Sequence, residues 1–527
     1  QQAPNFLPSS HILHNSTAPL ATMLFRPVLL AAGLAAVSSV KDECSAIADS
    51  SKYDCGVLGT TEDQCTASGC CWAESDTAGV PWCFFKDAPA SCFVTTNTST
   101  AAFSDDEIDT MASLFLANIN IEGSGGVVAA PDYDTPGGSY YFHWERDGAL
   151  TMRCLQETGV AADDTQSYME AYVKWVLKVQ ADEDPHDQDV RTEPKYMLPG
   201  GEVYDGSWCR PQNDGPGLRG TALMIFANTL LASGDSDYIA ANLWTADGSL
   251  NGGAIKYDLD YVVSGWESNS CDLWEEIQSS DFFWNRITMK KAMLLGADFA
   301  KTMGDDATAA TYAATAASID ATLYDSHFNG DYVLETTARE KDGAVIVGFN
   351  DGFHAADGLF APTSLEVAKT VAAYNLAFST EYAINTADTA NGLPGILYGR
   401  YPGDSYAGGN PWVLTTAALA TLFYRGSLDL AAGNLPDADA QAVWADALGE
   451  EFPASASAAS DLFLRAGDSV MIRLRSHVVA DDFHLDEQID RNTGVQMSAK
   501  DLTWSYAEVL NAVTARKAVI DAAATVA

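Results

Sequence analysis

Two adjacent carboxylates, Glu275 and Glu276, follow a tryptophan in Cys271-Asp272-Leu273-Trp274-Glu275-Glu276, and Phe282, Phe283 and Trp284 come next. Neighbouring side chains diverge on a strand or a helix, so the two cannot do one job on one atom. A glutamate buried beside tryptophan loses the solvation of its charged form and keeps a proton to higher pH. A general acid needs that property. Alone, the pair would also suit the solvated face of an amphipathic helix in so acidic a chain. Four more stretches bring aromatic, cationic and acidic side chains together: Tyr140–Asp147, Gly206–Pro216, Gly399–Asp404 with Gly409–Trp412, and Asp501–Ala507. In the first, Arg146 beside Asp147 offers donors and acceptors at one place.

In this order the five stretches resemble the glucoamylases, glycoside hydrolase family 15, over roughly residues 100–515. The resemblance implies an (α/α)6 toroid with its site at one mouth. It also implies exo-acting hydrolysis of α-1,4-glucosidic bonds from non-reducing ends, by inversion, with release of β-D-glucose. Inversion uses two carboxyl groups roughly 6.5–9.5 Å apart, one protonating the leaving oxygen and one activating water. The motif match makes Glu275 the acid and puts the base at Glu487, in Asp486-Glu487-Gln488. Without it, Asp481–Asp490 reads as an acidic surface loop.

The same resemblance assigns Arg146 and Asp147 to the terminal glucose, with Tyr140 and Trp144 as pocket walls. Trp208 is expected over the acid, and Trp412 and Trp504 along the funnel. Arg400 is a substrate contact and Asp404 its ion-pair partner; Glu276 reaches the next sugar, and Asp272 supports the acid. Cys209 and Cys271 stand beside two of these motifs, where better-known fungal enzymes carry other residues, and are expected to form a disulfide. His143 and Glu145 also depart from the common pattern and are expected to bear on substrate preference. The rival readings are a relative acting on trehalose or dextran, and a catalytically silent glucan-binding protein. The presence of both glutamates counts against the second.

Lys and Arg number 29 against 72 Asp and Glu, a net charge of −43. Such a surface repels nucleic acid and anionic lipid and either suits a neutral substrate or serves solubility alone; that the partner is an α-glucan, starch or a maltooligosaccharide, is what the resemblance implies. The eight histidines form no HExxH cluster, and neither a phosphate-binding glycine loop nor a nucleophile elbow is present, so no metal or cofactor is expected. The chain is expected to be a secreted, extracellular monomer with no membrane association.

Met23-Leu24-Phe25-Arg26 followed by a short apolar run to Ser39 reads as a secretory signal, about 23–39, within a leader of residues 1–40. Residues 1–22 are expected to lie ahead of the biological start. Residues 41–87 hold six of the ten cysteines, a disulfide framework whose pairing spacing alone leaves open. Gly69-Cys70-Cys71-Trp72 and Val80-Pro81-Trp82-Cys83-Phe84 resemble a trefoil (P-type) module. That likeness implies Cys44–Cys71, Cys55–Cys70 and Cys65–Cys83, with Trp82 as a candidate sugar contact or a structural tryptophan. Cys92 and Cys154 are paired by elimination. Residues 88–100, with a glycosylation sequon at Asn97, are expected to be a linker, and 101–527 the catalytic domain. There the periodicity is mostly helical, over 164–180, 216–232, 283–303, 306–323, 411–425, 455–475 and 500–525, with a possible hairpin around Tyr332–Val347.

Overall fold

Ser104 opens the first helix of the large unit with a reciprocal cap. Its hydroxyl accepts from the Glu107 N–H, and the Glu107 carboxylate accepts from its own N–H at 2.9 Å. Helix α1, Asp105–Ala117, then buries Met111 and Phe115 at helical spacing. The computed structural model describes residues 43–48, 52, 55, 60–75, 80–86, 90–245, 253–354 and 358–526, so the leader and its expected signal lie outside the described residues. Two compact units divide between Pro89 and Ala90.

The large unit is an (α/α)6 toroid. Its helices continue as α2 Glu145–Thr158, α3 Thr165–Gln180, α4 Asp214–Ser233, α5 Ala254–Gly265, α6 Phe283–Thr302 and α7 Asp306–His327. After these come α8 Gly343–Asp351, α9 Leu365–Glu381, α10 Val413–Ala431, α11 Ala456–Val478 and α12 Thr503–Val526. Helix α2 packs on α4, α4 on α6, α6 on α8, α8 on α10, α10 on α12, and α12 back on α2, which closes the inner ring. Outside it, α1 lies on α12, α3 on α2, α5 on α4 and α6, α7 on α6, and α11 on α10. The inner helices show why no apolar stripe stands out in them: α4 and α10 are buried on nearly every side.

The small unit is stapled rather than packed, as expected of a chain too short for a core of its own. Strand β1, Cys71–Trp72, pairs antiparallel with β2, Cys83–Phe84. Disulfides join Cys44 to Cys71, Cys55 to Cys70 and Cys65 to Cys83, with Cα separations of 5.3, 6.3 and 5.7 Å. Trp82 is exposed and stands edge-on to Trp72.

Three expectations are corrected. The expected 88–100 linker belongs to the large unit from residue 90 on, because Phe93 is buried against Phe423 and the backbone is tied down. The Gly395 N–H donates to the Val94 carbonyl, the Thr95 hydroxyl to Leu448, and the Ser99 hydroxyl to Asp468. Asn97, within it, is exposed. Cys92 and Cys154 are both free thiols. Cys154 is buried on α2 with its thiol donating to the Ala507 carbonyl, whereas the Cys92 backbone is held by Ser379 and Thr389. Around Tyr332–Val347 only single bridges form, Phe328 to Val333 and Thr336 to Arg339, before α8 begins.

Phe93→Ala is therefore expected to cost about 3–5 kcal/mol of unfolding free energy, the usual range for a buried phenylalanine. Denaturant titration checks it, and an unchanged midpoint would mean that the segment is a tether after all.

Candidate functional site

Each inner helix begins where a loop of one mouth ends. Trp144 precedes α2, Gln212 precedes α4, the Glu275 turn precedes α6, Asp342 precedes α8, the Arg400–Trp412 segment precedes α10, and the Glu487 loop precedes α12. Trp144, Phe282 and Trp412 occupy N-cap positions without a side-chain cap. Local helix preference is set aside there for side chains that serve the mouth.

Glu275 sits in the turn between β5, Ser270–Cys271, and β6, Gln278–Ser279. Asp272 builds that turn. Its Oδ1 accepts the N–H of Glu276 at 2.6 Å and of Ile277 at 2.9 Å, and its carbonyl accepts the Glu275 N–H at 3.0 Å. Glu275 is thereby held at φ 67°. For a residue with a Cβ that conformation costs about 1–3 kcal/mol, sustained only by its surroundings. A disulfide from Cys209 to Cys271, with Cα atoms 5.9 Å apart, fastens the Trp208 segment to the same turn.

Three donors converge on the Glu275 carboxylate. The Trp144 indole N–H and the Gln212 amide donate to Oε1 at 3.0 and 2.8 Å, and the Trp208 indole N–H donates to Oε2 at 2.7 Å. Arg146 gives both terminal nitrogens to the Gln212 Oε1 at 2.8 Å, and its Nη2 lies 3.8 Å from Glu275. Burial pushes the Glu275 carboxyl above its ordinary pKa, while Arg146, Gln212, Trp208 and Lys195 offset only part of that rise.

Glu487 is buried in a matching cradle. The Tyr140 hydroxyl donates to Oε1 at 2.9 Å, the Gln488 amide to Oε2 at 2.9 Å, and the Ser498 hydroxyl also to Oε2. Its backbone is fixed on both sides, N–H to the Ala499 carbonyl at 2.8 Å and carbonyl to the Val413 N–H at 3.2 Å. Burial raises this carboxyl too, against Ser498, Tyr140, Gln488 and the charge of Arg400. The rings of Tyr140 and Trp144 lie 5.5 Å apart, so one aromatic pair presents a donor to each carboxylate.

Glu276 points elsewhere, as adjacency required. It accepts from Arg339 at 2.8 Å, from Arg400 at 2.8 Å and from the Tyr401 hydroxyl. Arg400 forks onto Asp404 at 2.8 and 2.7 Å, and Arg339 reaches Asp272 at 2.6 Å. Trp274 lies between Trp412 and Trp504, at 5.3 and 6.4 Å between ring centres, and its indole N–H donates to Asp342 at 2.7 Å. Asp147 forms no hydrogen bond to another side chain among the described residues. His143 and Glu145 lie away from this mouth. His143 packs on Trp175, and Glu145 pairs with the buried Arg219 at 2.8 Å. Strand alternation turns His143 from the face that carries Trp144, and Glu145 opens α2; neither side chain hydrogen-bonds to Glu275 or Glu487.

Several members of the site went unnamed in the sequence. Gln212 and Gln488 stand inside quoted motifs, where an amide beside a catalytic-type carboxylate is a usable signal. Tyr401 likewise stands inside the quoted Gly399–Asp404 stretch, whereas Arg339, Ser498, Lys195 and Tyr406, whose hydroxyl shares a hydrogen bond with that of Tyr140 at 2.8 Å, had none, because only the closed ring brings them in.

Residues 113–514 match glycosyl hydrolases family 15, and residues 44–86 match the trefoil (P-type) domain. Over 453 residues the chain is 34% identical to a glucoamylase of Blastobotrys adeninivorans, covering 78% of this chain and 71% of that one. A glucoamylase of Rhizopus oryzae is 30% identical over 472 residues, 82% and 73% of the two chains. Among solved structures, a family 15 glucoamylase from Hypocrea jecorina superposes with a TM-score of 0.69 at 26% identity, over 79% of this chain and 72% of that one.

The Asp147 carboxyl is pushed up to about 7, by burial first, with Arg146 opposing and the charges of Glu275 and Asp214 adding to the rise. A carboxyl raised in the folded state contributes stability below its unfolded pKa of about 4, and this is lost as pH rises through about 7. Asp147→Asn is expected to lose less stability than the parent between pH 4.5 and 7.5 in denaturant titrations. Parallel pH dependence in the two proteins would contradict it.

Proposed function

The chain belongs to glycosyl hydrolases family 15 and is a glycoside hydrolase; from that premise we propose an exo-acting, inverting glucoamylase that releases β-D-glucose from non-reducing ends of α-1,4-glucans. The observation that carries this reading is the pair of desolvated carboxylates, the part-buried Glu275 and the buried Glu487, each held by its own donors around one aromatic pair. By the motif match, Glu275 gives its proton to the glycosidic oxygen as the C1–O bond breaks. Glu487 takes a proton from the water that attacks C1 on the opposite face. Neither step needs a metal ion or cofactor.

The remaining residues supply the pocket. Arg146 and Asp147 pair with hydroxyls of the terminal glucose, and a site built this way rejects sugars that lack them. Tyr140 and Trp144 wall it, Arg400 and Glu276 meet the following unit, and Trp208, Trp412 and Trp504 present apolar ring faces to the chain. Asp404 and Asp272 act at one remove, by fixing Arg400 and the Glu275 turn. Four disulfides fit an oxidising, extracellular location, and no described helix is long and apolar enough to cross a membrane.

Two glutamine variants test the roles separately. Glu275→Gln should lower kcat on maltose about 10²–10⁴-fold, the span of general acid catalysis. It should lose far less on α-glucosyl fluoride, whose leaving group needs little protonation, whereas Glu487→Gln should fail on both. Freshly released glucose, followed by NMR, should be the β anomer. An α product, or equal losses for Glu275→Gln on the two substrates, would overturn the assignment.

A further inference from the structure

Lys195 stands opposite Trp144 in the antiparallel pair of β3, Phe142–Trp144, and β4, Lys195–Met197. Its side chain is 2% exposed, and among the described residues its ammonium makes neither an ion pair nor a hydrogen bond. Instead Nζ lies 3.7 Å from the ring centre of Trp208, 4.2 Å from those of Trp144 and Phe142, and 4.5 Å from that of Tyr204. The four rings also pack edge to face among themselves, Trp144 on Trp208 at 5.7 Å and Phe142 on Tyr204 at 5.2 Å. A buried ammonium without a carboxylate is costly, and a purely space-filling position would take an apolar chain. Aromatic faces are the partners that compensate it.

We propose that Lys195 is a positioning residue for the reaction: its ammonium fastens the indoles of Trp144 and Trp208 in the orientation that delivers their N–H groups to Glu275. This rests on the hydrolase reading above. Trp144 and Trp208 are the two aromatic donors to that carboxylate, one to each oxygen. The lysine's own backbone is pinned in turn. Its N–H donates to Glu193 Oε1 at 3.1 Å, and Glu193 is held by the Arg210 fork at 2.6 and 3.0 Å. The charges acting on the ammonium are Glu275, Arg210 and Glu193, and burial brings its pKa down to about 8. It therefore carries its charge throughout acidic and neutral pH.

The test compares Lys195→Met, which keeps the length and loses the charge, with Lys195→Arg, which keeps the charge. On maltooligosaccharides, Lys195→Met should lower kcat about 10-fold or more, since a catalytic group misplaced by about 1 Å costs up to about 100-fold, with KM changed less than about 3-fold. The ammonium favours the ionised form of Glu275, so its removal should move the alkaline limb of kcat to higher pH. Merely loosened packing would not move the limb in that direction. Lys195→Arg should restore most of the rate. Wild-type kcat and pH profile in Lys195→Met, or an equal loss in Lys195→Arg at wild-type Tm, would overturn the proposal. If the Met variant fails to fold, Lys195→Gln takes its place in the same comparison. A wild-type protein that cleaves no α-glucoside would instead remove the hydrolase reading. The indole N–H resonances of Trp144 and Trp208 then decide the packing claim: they should shift in Lys195→Met, and unshifted resonances would end it.

Discussion

Glu275 pays for its burial in lost solvation, and the architecture around it is arranged so that this cost is retained but not allowed to unfold the turn. A carboxylate in water would be ionised at any working pH; withdrawn behind Trp144 and Trp208, it is pushed up instead. Three donors and a nearby guanidinium keep that rise bounded. The left-handed backbone at Glu275 shows the same balance in conformational terms, since the Asp272 carboxylate and the Cys209–Cys271 bridge hold a residue where it would not settle alone.

The inner ring makes such convergence possible. Six helices with their N-termini at one mouth turn six separate loops into a single surface, and their positive dipole ends favour acidic side chains there. The acidic pairs then specialise. Glu275 and Glu487 are desolvated and meet neutral donors, whereas Glu276, Asp404 and Asp272 are tied to Arg339 and Arg400. The first two are left with raised pKa values, and the others hold the guanidinium groups in place.

Much of this was legible in the chain. Asp-Leu-Trp-Glu-Glu and Trp-Glu-Arg-Asp carry their chemistry in local residue types, the Glu487 loop stood out from an acidic surface loop only through the family resemblance, and helical periodicity announced most of the outer and inner helices. What stayed hidden depends on closure. Arg339 reaches Asp272 only once the loop before α8 meets the loop before α6, and Lys195 finds its rings only across a strand pair. Cysteine counting misled at Cys92 and Cys154, because an even number of cysteines does not place them near one another. Small polar composition misled at 88–100, where a single Phe93 anchors the segment in the core.

The central claim is that the two cradled carboxylates face one glycosidic bond from opposite sides with room for a water. A crystal structure with a non-hydrolysable maltose analogue tests it directly. The account predicts Glu275 and Glu487 carboxyl groups roughly 6.5–9.5 Å apart, with a water held by Glu487 at the C1 atom and Glu275 at the glycosidic oxygen. A separation of roughly 5–5.5 Å with Glu487 touching C1 would contradict it and mark a retaining enzyme.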